Sequence, residues 1–310
     1  MKKIVFLLFF IFYFLFNSVA QQQVEFTQYF INDMIYNPAI SGSKSYNTFF
    51  IQTRRQWLGF EGAPFSTNIG YHGAVNNRSA MGAYLMYDAT GPAMQANMHL
   101  HYAYHVPLNA EKLNLSFGLG SKFMYYILDF DPNDLPEGID PAFSSSAYEK
   151  TLGDIESGIY LYSKDFYIGY SVINMLQSSF NNEEGDGFSI NNQFRNYYGI
   201  IGYRSRIINN DWELEPSLLI RHEENQPRLY NISTRILYLK NTWLGISYKT
   251  NKNMAFLFGF LANDKMHVAY SYDYTLSGGI MKYNYGTHEL SLSFRIPTLS
   301  SQRHIGFWQY

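Results

Sequence analysis

Three histidines on one candidate strand have the spacing of metal ligands. His99 and His101 are two residues apart and His105 follows at the same parity, so all three side chains belong to one face of a strand. Imidazole nitrogen is a preferred ligand of Zn²⁺, but a zinc site needs three or four ligands and partners that orient them. We therefore favour the interpretation that these histidines line a polar interior, with no metal bound.

A second group of residues has the spacing of a calcium loop. Oxygen ligands occur at Asp129, Asp131, Asn133, Glu137 and Asp140. A calcium-binding loop of the EF-hand type needs glycine at its sharp turn, where this chain has Asp134, and Pro132 stiffens the segment. A solvated acidic loop is the favoured interpretation. Loosely bound calcium is the alternative, and no other cofactor is expected.

The sequence contains no catalytic signature. It has no Gly-x-Ser-x-Gly, no P-loop, no His-Glu-x-x-His and no Gly-x-Gly-x-x-Gly motif. It also has no cysteine, which excludes a cysteine nucleophile and a disulfide scaffold. We expect the protein not to be an enzyme.

The elements that position these side chains are strands with strict alternation. In residues 94–106, Met98, Leu100 and Tyr102 share one face and His99 and His101 the other. A period of two indicates that one face is apolar and the other polar. The same pattern occurs in residues 113–128, 212–222, 228–239, 266–274 and 288–296, and more weakly in 48–56, 65–73, 79–87, 155–163, 166–172, 194–207, 242–249 and 254–261. The total is about fourteen strands, an even number as in outer-membrane barrels.

Charged residues fall on the polar faces of these strands. They are Arg54, Lys122, Glu213, Glu215, Arg221, Arg235, Asp273, Glu289 and Arg295. In a barrel they would face the lumen. Opposite charges could pair across a filled lumen or line a wet pore, and the sequence leaves both possibilities open.

The lengths of the connections support a barrel. Long connections at residues 129–154, 173–193 and 275–287 alternate with tight turns such as 76–78, 164–165 and 240–241. Outer-membrane barrels have short periplasmic turns and longer external loops. The prediction is an all-β, up-and-down antiparallel transmembrane barrel over residues 44–296, with both termini in the periplasm.

The terminal segments differ from the strands. Residues 1–20 contain Lys2 and Lys3, an apolar run and a small-residue end at Ala20, which is typical of a cleaved signal peptide. Residues 21–43 carry aromatic residues at helical spacing and predict a short helical or turn segment that plugs the barrel or lies at its periplasmic rim. Residues 297–310 form a C-terminal tail, expected to be periplasmic, without an assigned role.

The composition is that of a membrane barrel. Aromatic residues make up 18% of the chain, with 28 Tyr and 25 Phe, and charged residues only 15%. An ordinary soluble domain carries roughly a quarter charged residues. The mean hydropathy is nevertheless slightly negative, which argues against a bundle of membrane helices. The net charge of −2 indicates no basic surface for nucleic acid.

One stretch near the N-terminus resembles a known family. The stretch contains Gln28-Tyr29-Phe30, Asn37-Pro38-Ala39 and Gly42-Ser43, followed by the eleven-residue block of residues 54–64. Within that block, Trp57 and Phe60 look like rim aromatics or part of a loop folded into the barrel mouth. The matching motif residues are Asn37, Pro38, Ala39, Arg55, Gln56, Trp57, Gly59, Phe60, Glu61, Gly62 and Pro64. This pattern closely resembles the opening of PorP/SprF-family proteins, which are outer-membrane proteins of the Bacteroidota type IX secretion system. Later segments such as residues 166–172 and 243–249 are similar as well.

The resemblance implies a function and partners. The protein would support secretion or surface attachment of specific exported proteins, which are adhesins in gliding species. Its partners would be outer-membrane lipid, periplasmic ring or peptidoglycan-linked components, and a secreted adhesin or other cargo. Residues 21–43 and 297–310 would supply the periplasmic contacts. The alternative that the barrel pattern equally permits is a passive porin or small-solute channel.

Overall fold

The computed structural model describes residues 24–108, 113–129, 147–178, 193–207, 211–224, 226–263, 265–276 and 284–297. The expected signal peptide and all but the first residue of the C-terminal tail lie outside these ranges. Within the described part of the chain, no helix is both long and apolar enough to cross a membrane.

Fourteen strands make up the fold. Their bounds are β1 Asn47–Arg55, β2 Phe65–Ala74, β3 Ser79–Thr90, β4 Ala93–Pro107, β5 Leu113–Asp129, β6 Ala147–Ser163, β7 Phe166–Ile173, β8 Asn196–Tyr203 with a continuation Ser205–Arg206, β9 Trp212–Glu223, β10 Leu229–Tyr238, β11 Thr242–Lys249, β12 Asn253–Ala262, β13 Met266–Thr275 and β14 Thr287–Ile296. Two short 3₁₀ helices, Asp33–Ile35 and Pro38–Ile40, precede them.

The strands form one closed antiparallel sheet. Each pairs with its neighbours in sequence, and β1 also pairs with β14, with Asn47 opposite Ile296 and Arg55 opposite His288. Closure leaves no unpaired sheet edge, which is how a barrel satisfies its backbone groups in lipid. The prediction of a closed antiparallel barrel of about fourteen strands is confirmed.

The alternation along each strand separates the two faces of the wall. In β4, His99, His101 and His105 are buried inside, whereas Leu100 and Tyr102 are exposed outside. The large exposed side chains on the outer face are mostly Leu, Ile, Phe, Met and Tyr. The barrel therefore presents an apolar surface to lipid and encloses a polar interior.

One predicted connection is shorter than expected. The ladder between β5 and β6 continues to Asp129 opposite Ala147, so the connection covers residues 130–146 and not 129–154. Each of these strands has 17 residues, more than the roughly 9–11 that cross a bilayer. The part of β6 that extends beyond the bilayer can therefore carry polar residues such as Glu149 on its outward face. There the alternation of apolar and polar residues that predicts a strand is lost.

The connections sort onto two rims. We call the rim with residues 56–64, 130–146, 174–195 and 276–286 the long-connection rim. The opposite one, with residues 75–78, 164–165 and 239–241, is the short-turn rim. Two short connections, 91–92 and 250–252, also lie on the long-connection rim, so connection length follows the rim as a tendency and not as a rule.

Candidate functional site in the barrel lumen

The N-terminal segment fills part of the lumen. We call residues 24–43 the plug. Every side chain from Phe26 to Ser43 is buried, and the segment consists of tight turns and the two 3₁₀ helices. Asn37 has extended backbone angles, as expected before a proline, and this prevents one continuous helix. The predicted helical spacing therefore produces turns.

Asn37-Pro38-Ala39 lies against three strands. The Asn37 side chain accepts from the Ala39 N–H and donates to the carbonyls of Ile159 on β6 and Tyr170 on β7. Pro38 occupies the first position of its 3₁₀ helix, where its missing N–H has no cost. This part of the family motif thus fixes the plug to the wall.

Glycines on the inner wall make room for the plug. A Cβ added at Gly118 would collide with the backbone of Pro38 and Ala39, and one at Gly158 would collide with the Asn37 side chain. Backbone cannot move aside as the end of a flexible side chain can. The small residues of these strands therefore determine where the plug sits.

Gly118→Val should displace the plug. Overpacking a well-filled interior typically costs about 1–3 kcal/mol, and here the obstacle is backbone. We expect proteolysis of the N-terminal segment in detergent to become markedly faster. The matched control is Gly153→Val, because a Cβ at Gly153 meets only the Lys122 carbonyl oxygen, at 4.0 Å. Equal protection in both variants would contradict this role of Gly118.

A charged network fastens the start of the plug. Arg54 of β1 pairs with Asp273 of β13 at 2.8 Å and with Glu289 of β14 at 3.0 Å. Glu289 accepts the backbone N–H groups of Thr27 and Gln28 at 2.8 and 2.9 Å. Lys249 Nζ lies 2.8 Å from the Thr27 hydroxyl and 3.5 Å from Asp273. We call the four charged residues Arg54, Lys249, Asp273 and Glu289 the latch. The latch joins four strands, β1, β11, β13 and β14, to the plug through charge-assisted hydrogen bonds.

A second charged cluster lies beneath the aromatic part of the plug. Arg235 pairs with Glu215 at 2.7 Å, and its guanidinium lies 3.7 Å from the centre of the Phe30 ring. The Tyr29 hydroxyl is 2.8 Å from the Ser217 hydroxyl. The inward-facing charges therefore pair within a lumen that the plug partly fills, which answers the question that the sequence left open.

The remaining predicted charges also lie inside the barrel. Arg221 pairs with Glu25 of the plug at 2.9 Å, and the Arg295 guanidinium lies over the Tyr46 ring. Within the plug, Asp33 lies 3.2 Å from Lys44. Burial raises the pKa of Asp33, and the positive charge of Lys44 opposes that rise.

The first described residues of the plug lie near the long-connection rim. Glu25 contacts Arg221, and Thr27 contacts Asp273 and Glu289; these three partners lie near the ends of their strands at the long-connection rim. β14 ends at the short-turn rim. The first described residues and the end of the last strand therefore lie towards opposite rims, and the positions of the two chain termini stay predictions. Residues 26–43 are buried, and periplasmic contacts through residues 21–43 and 297–310 stay a prediction.

A cavity of about 370 Å³ lies beside the plug. Thr90, Ala93 and Gln193 line it near the long-connection rim, and Tyr36 of the plug lines its floor. Lys122 and His99 also reach it. Polar and aromatic side chains line this cavity, and it lies between the long-connection rim and the plug.

The three histidines divide between two environments. His99 Nδ1 and His101 Nε2 lie 2.6 and 2.9 Å from the two carboxylate oxygens of Glu156 on β6. His105 instead contacts the Tyr162 hydroxyl and the Ser41 carbonyl of the plug, at 2.8 and 2.9 Å. Sequence reasoning missed Glu156, which lies on a weakly alternating strand with no local signal for this partnership.

The second half of the family motif lies at the long-connection rim. Arg55 ends β1 and is exposed, and Gln56 donates its N–H to the Pro64 carbonyl. Glu61 is also exposed. Residues 55–64 thus lie at the rim, whereas Asn37-Pro38-Ala39 lies inside the lumen against β6 and β7.

Neighbouring connections brace this rim segment. Leu58 exchanges backbone hydrogen bonds with Tyr285 and Gly286, and Gly62 accepts the N–H of Gly91. Trp57 and Phe60 are rim residues, half-buried and exposed respectively. Gly59 has φ of 92° and faces the Tyr285 ring, so a side chain there would be strained and crowded. The motif builds a supported turn at the barrel mouth.

The calcium prediction stays untested. Asp129 ends β5, where it is exposed, and its N–H donates to the Pro92 carbonyl. Asp131, Asn133, Glu137 and Asp140 lie outside the described residues. The other residue at the predicted edge of that loop, Asp154, lies within β6 and is buried, where it accepts the Leu176 N–H.

Comparison with known proteins gives a family and a fold. The model of the type IX secretion system membrane protein PorP/SprF family matches residues 18–294. No curated protein matches the chain. Two solved barrels share the fold: a deletion mutant of the TodX monoaromatic hydrocarbon channel, with TM-score 0.52 and 8% identity, covering 86% of this chain and 94% of that one, and the CymD monoaromatic hydrocarbon channel, with TM-score 0.51 and 10% identity, covering 88% and 94%.

At such identities these two structures support the architecture and nothing finer. The family match is different, because it covers most of the chain and includes both halves of the motif, from the plug residues to the rim turn. The closed barrel and its apolar outer face agree with an outer-membrane location. The protein belongs to the PorP/SprF family of type IX secretion system membrane proteins.

Proposed function

We propose that the protein is a plugged barrel that supports type IX secretion or surface attachment of specific exported proteins and does not itself pass solutes. The observation that carries this proposal is the buried plug, fastened to the wall by the latch and by Asn37. A porin needs a continuous wet path, and here aromatic and charged side chains of the plug occupy the lumen.

The contacts of the plug support a static closure. Its hydrogen bonds reach β1, β2, β4, β6, β7, β9, β13 and β14. A segment held from so many sides cannot leave unless many buried polar groups lose their partners, each at a cost of about 1–3 kcal/mol when it stays dry. A passive porin or small-solute channel is the competing function, and the conductance of the intact protein separates the two.

The proposed orientation places the short-turn rim in the periplasm and the long-connection rim outside, because outer-membrane barrels have this asymmetry. Cargo would then meet the long-connection rim, where the braced turn of residues 56–64 and the longest connections lie. Loops carried on a rigid scaffold are common binding surfaces. Periplasmic ring or peptidoglycan-linked components would meet the opposite rim.

Removing the two longest connections should abolish cargo display. We expect replacement of residues 130–146 and 179–192 by short Gly-Ser linkers to leave the barrel assembled, because the β5–β6 ladder ends at Asp129 and Ala147. Surface proteins released by protease treatment of intact cells, quantified by mass spectrometry, should lose specific members. Assembly is checked by heat-modifiable gel migration.

The matched control changes a short connection at the same rim. Replacing Lys252 of the 250–252 connection, whose φ is 65°, by glycine should leave the surface proteins unchanged, because glycine adopts this conformation readily. An unaltered surface profile in the correctly inserted loop variant would refute the loop assignment. Normal secretion in a clean deletion strain that holds no related copy would refute the secretion role itself.

A further inference from the structure

Two histidines and a glutamate from different strands converge inside the barrel wall. His99 and His101 come from β4 and Glu156 from β6, and all three are at least nine-tenths buried. One ligand atom of each residue, a ring nitrogen of either histidine and a carboxylate oxygen of Glu156, lies within 4.8 Å of the other two. We call this group the His–Glu cluster.

A glycine on the strand between them creates the cluster. In the register of β4, β5 and β6, His101 is opposite Gly120, and Gly120 is opposite Glu156. A Cβ at Gly120 would lie 2.7 Å from the His101 ring and 3.3 Å from a Glu156 carboxylate oxygen. Because Gly120 has no side chain, the imidazole and the carboxylate can meet above it.

The donor set fits a borderline divalent metal ion. Imidazole nitrogen and carboxylate oxygen both bind Zn²⁺ at about 2.0–2.2 Å, and three protein ligands with one open position is a common zinc arrangement. Tetrahedral ligands at those bond lengths are about 3.4 Å apart, compared with 2.6 and 2.9 Å for the present nitrogen–oxygen contacts. Each of these two contacts would have to lengthen by less than an ångström to admit the ion.

The surroundings provide access and orientation. His99 lines the cavity beside the plug, so an ion can arrive from the long-connection rim and a water can complete its coordination. Tyr84 stacks on the His99 ring at 4.1 Å between centroids and meets His101 edge-on. These contacts hold both imidazoles in place, as ligands of a metal site require. Among the described residues, His101 Nδ1 has no hydrogen-bond partner although it is buried.

The positively charged Lys122 lies near the His–Glu cluster and should weaken the binding of a cation there. Lys122 projects from β5 into the same cavity. Its Nζ donates to Asn174 Oδ1 and Gln193 Oε1, both at 3.1 Å. Its positive charge should weaken cation binding through Coulomb repulsion. Removing the Lys122 charge should therefore strengthen cation binding, which can be measured.

We propose that His99, His101 and Glu156 bind one Zn²⁺ or a similar borderline divalent metal ion that enters through the cavity. Titration calorimetry of the untagged, detergent-solubilised full-length mature protein with Zn²⁺ alone should show one strong site. H99A/H101A should lose it, with affinity reduced by more than about a hundredfold since two ligands are gone. Co²⁺ should give visible absorption bands of a four- or five-coordinate ion in the wild type only.

Two further variants make the outcome decisive. H222A removes an imidazole on the outward face of β9, away from the His–Glu cluster, and should leave the strong site unchanged. Lys122→Met should tighten binding at least severalfold, because it removes a repelling charge. All variants are first shown to fold by heat-modifiable migration. Wild-type protein without a strong site, or a site of unchanged affinity in H99A/H101A, would overturn the proposal and leave the cluster as a hydrogen-bonded triad only.

Discussion

Deletion of residues 24–43 should convert a barrel that passes almost no sugar into an open pore. The plug fills a lumen that fourteen strands would otherwise leave wide, since barrel diameter grows with strand number. Its removal exposes the polar inner wall, including Arg54 and Asp273, to water that can solvate it. We expect liposome swelling with small sugars to rise from near background to a porin-like rate. Planar-bilayer conductance should rise in parallel.

Two checks accompany this experiment. The deleted barrel must show heat-modifiable migration, which establishes that the wall closes without the plug. Tyr29→Phe removes only the hydroxyl group that bonds Ser217 and Ser233 and should remain closed. If the intact protein passes sugars as readily as the deletion variant, the plugged-scaffold proposal is wrong and the porin is favoured.

Arg54→Met should destabilise the barrel by about 3–5 kcal/mol, as found when one partner of a buried ion pair is removed. Asp273 and Glu289 would then share Lys249 as their nearest cation, and the latch would lose the group that bridges β1 to β13 and β14. The measurement is the urea or temperature midpoint of the gel shift between folded and unfolded forms. The variant should also expose the N-terminal segment to protease.

The neighbouring residue is the matched control. Arg55 has the same chemistry one position later but is exposed, so Arg55→Met should change stability by no more than about 0.5 kcal/mol, as is usual for surface substitutions. In R54M/E289Q only one buried carboxylate of the latch remains, that of Asp273, and it lies 3.5 Å from Lys249. Because this carboxylate still has a cationic partner, a substantial part of the lost stability should return. Equal losses in R54M and R55M would show that the latch carries no special stability.

The plug and the His–Glu cluster assign different roles to the two halves of the lumen. Asn37, Ala39 and Gly118 close the barrel towards the short-turn rim, whereas the cavity beside His99 opens on the proposed cargo side. The proposed metal site does not depend on secretion, since it rests on the geometry of three side chains. Either proposal can therefore fail without the other.

The sequence determined the wall of the protein. Alternation in β4 placed His99, His101 and His105 inside and Leu100 outside, because a strand sends successive side chains to opposite faces whatever follows later in the chain. The prediction is weaker where a strand leaves the membrane. Around Glu149 no apolar face is required, so the sequence predicts a loop for the outer part of β6.

Only the tertiary structure decided which inward residues meet. Arg54 contacts Glu289 across 235 positions of sequence, Asn37 donates to the Ile159 carbonyl across 122, and His99 meets Glu156 across 57. These pairings depend on barrel closure, on strand register and on the path of the plug, none of which leaves a periodic signal. Sequence periodicity reports which face a residue occupies. The partner on that face is set by three-dimensional packing, in which a glycine such as Gly120 or Gly118 decides whether two distant groups can touch.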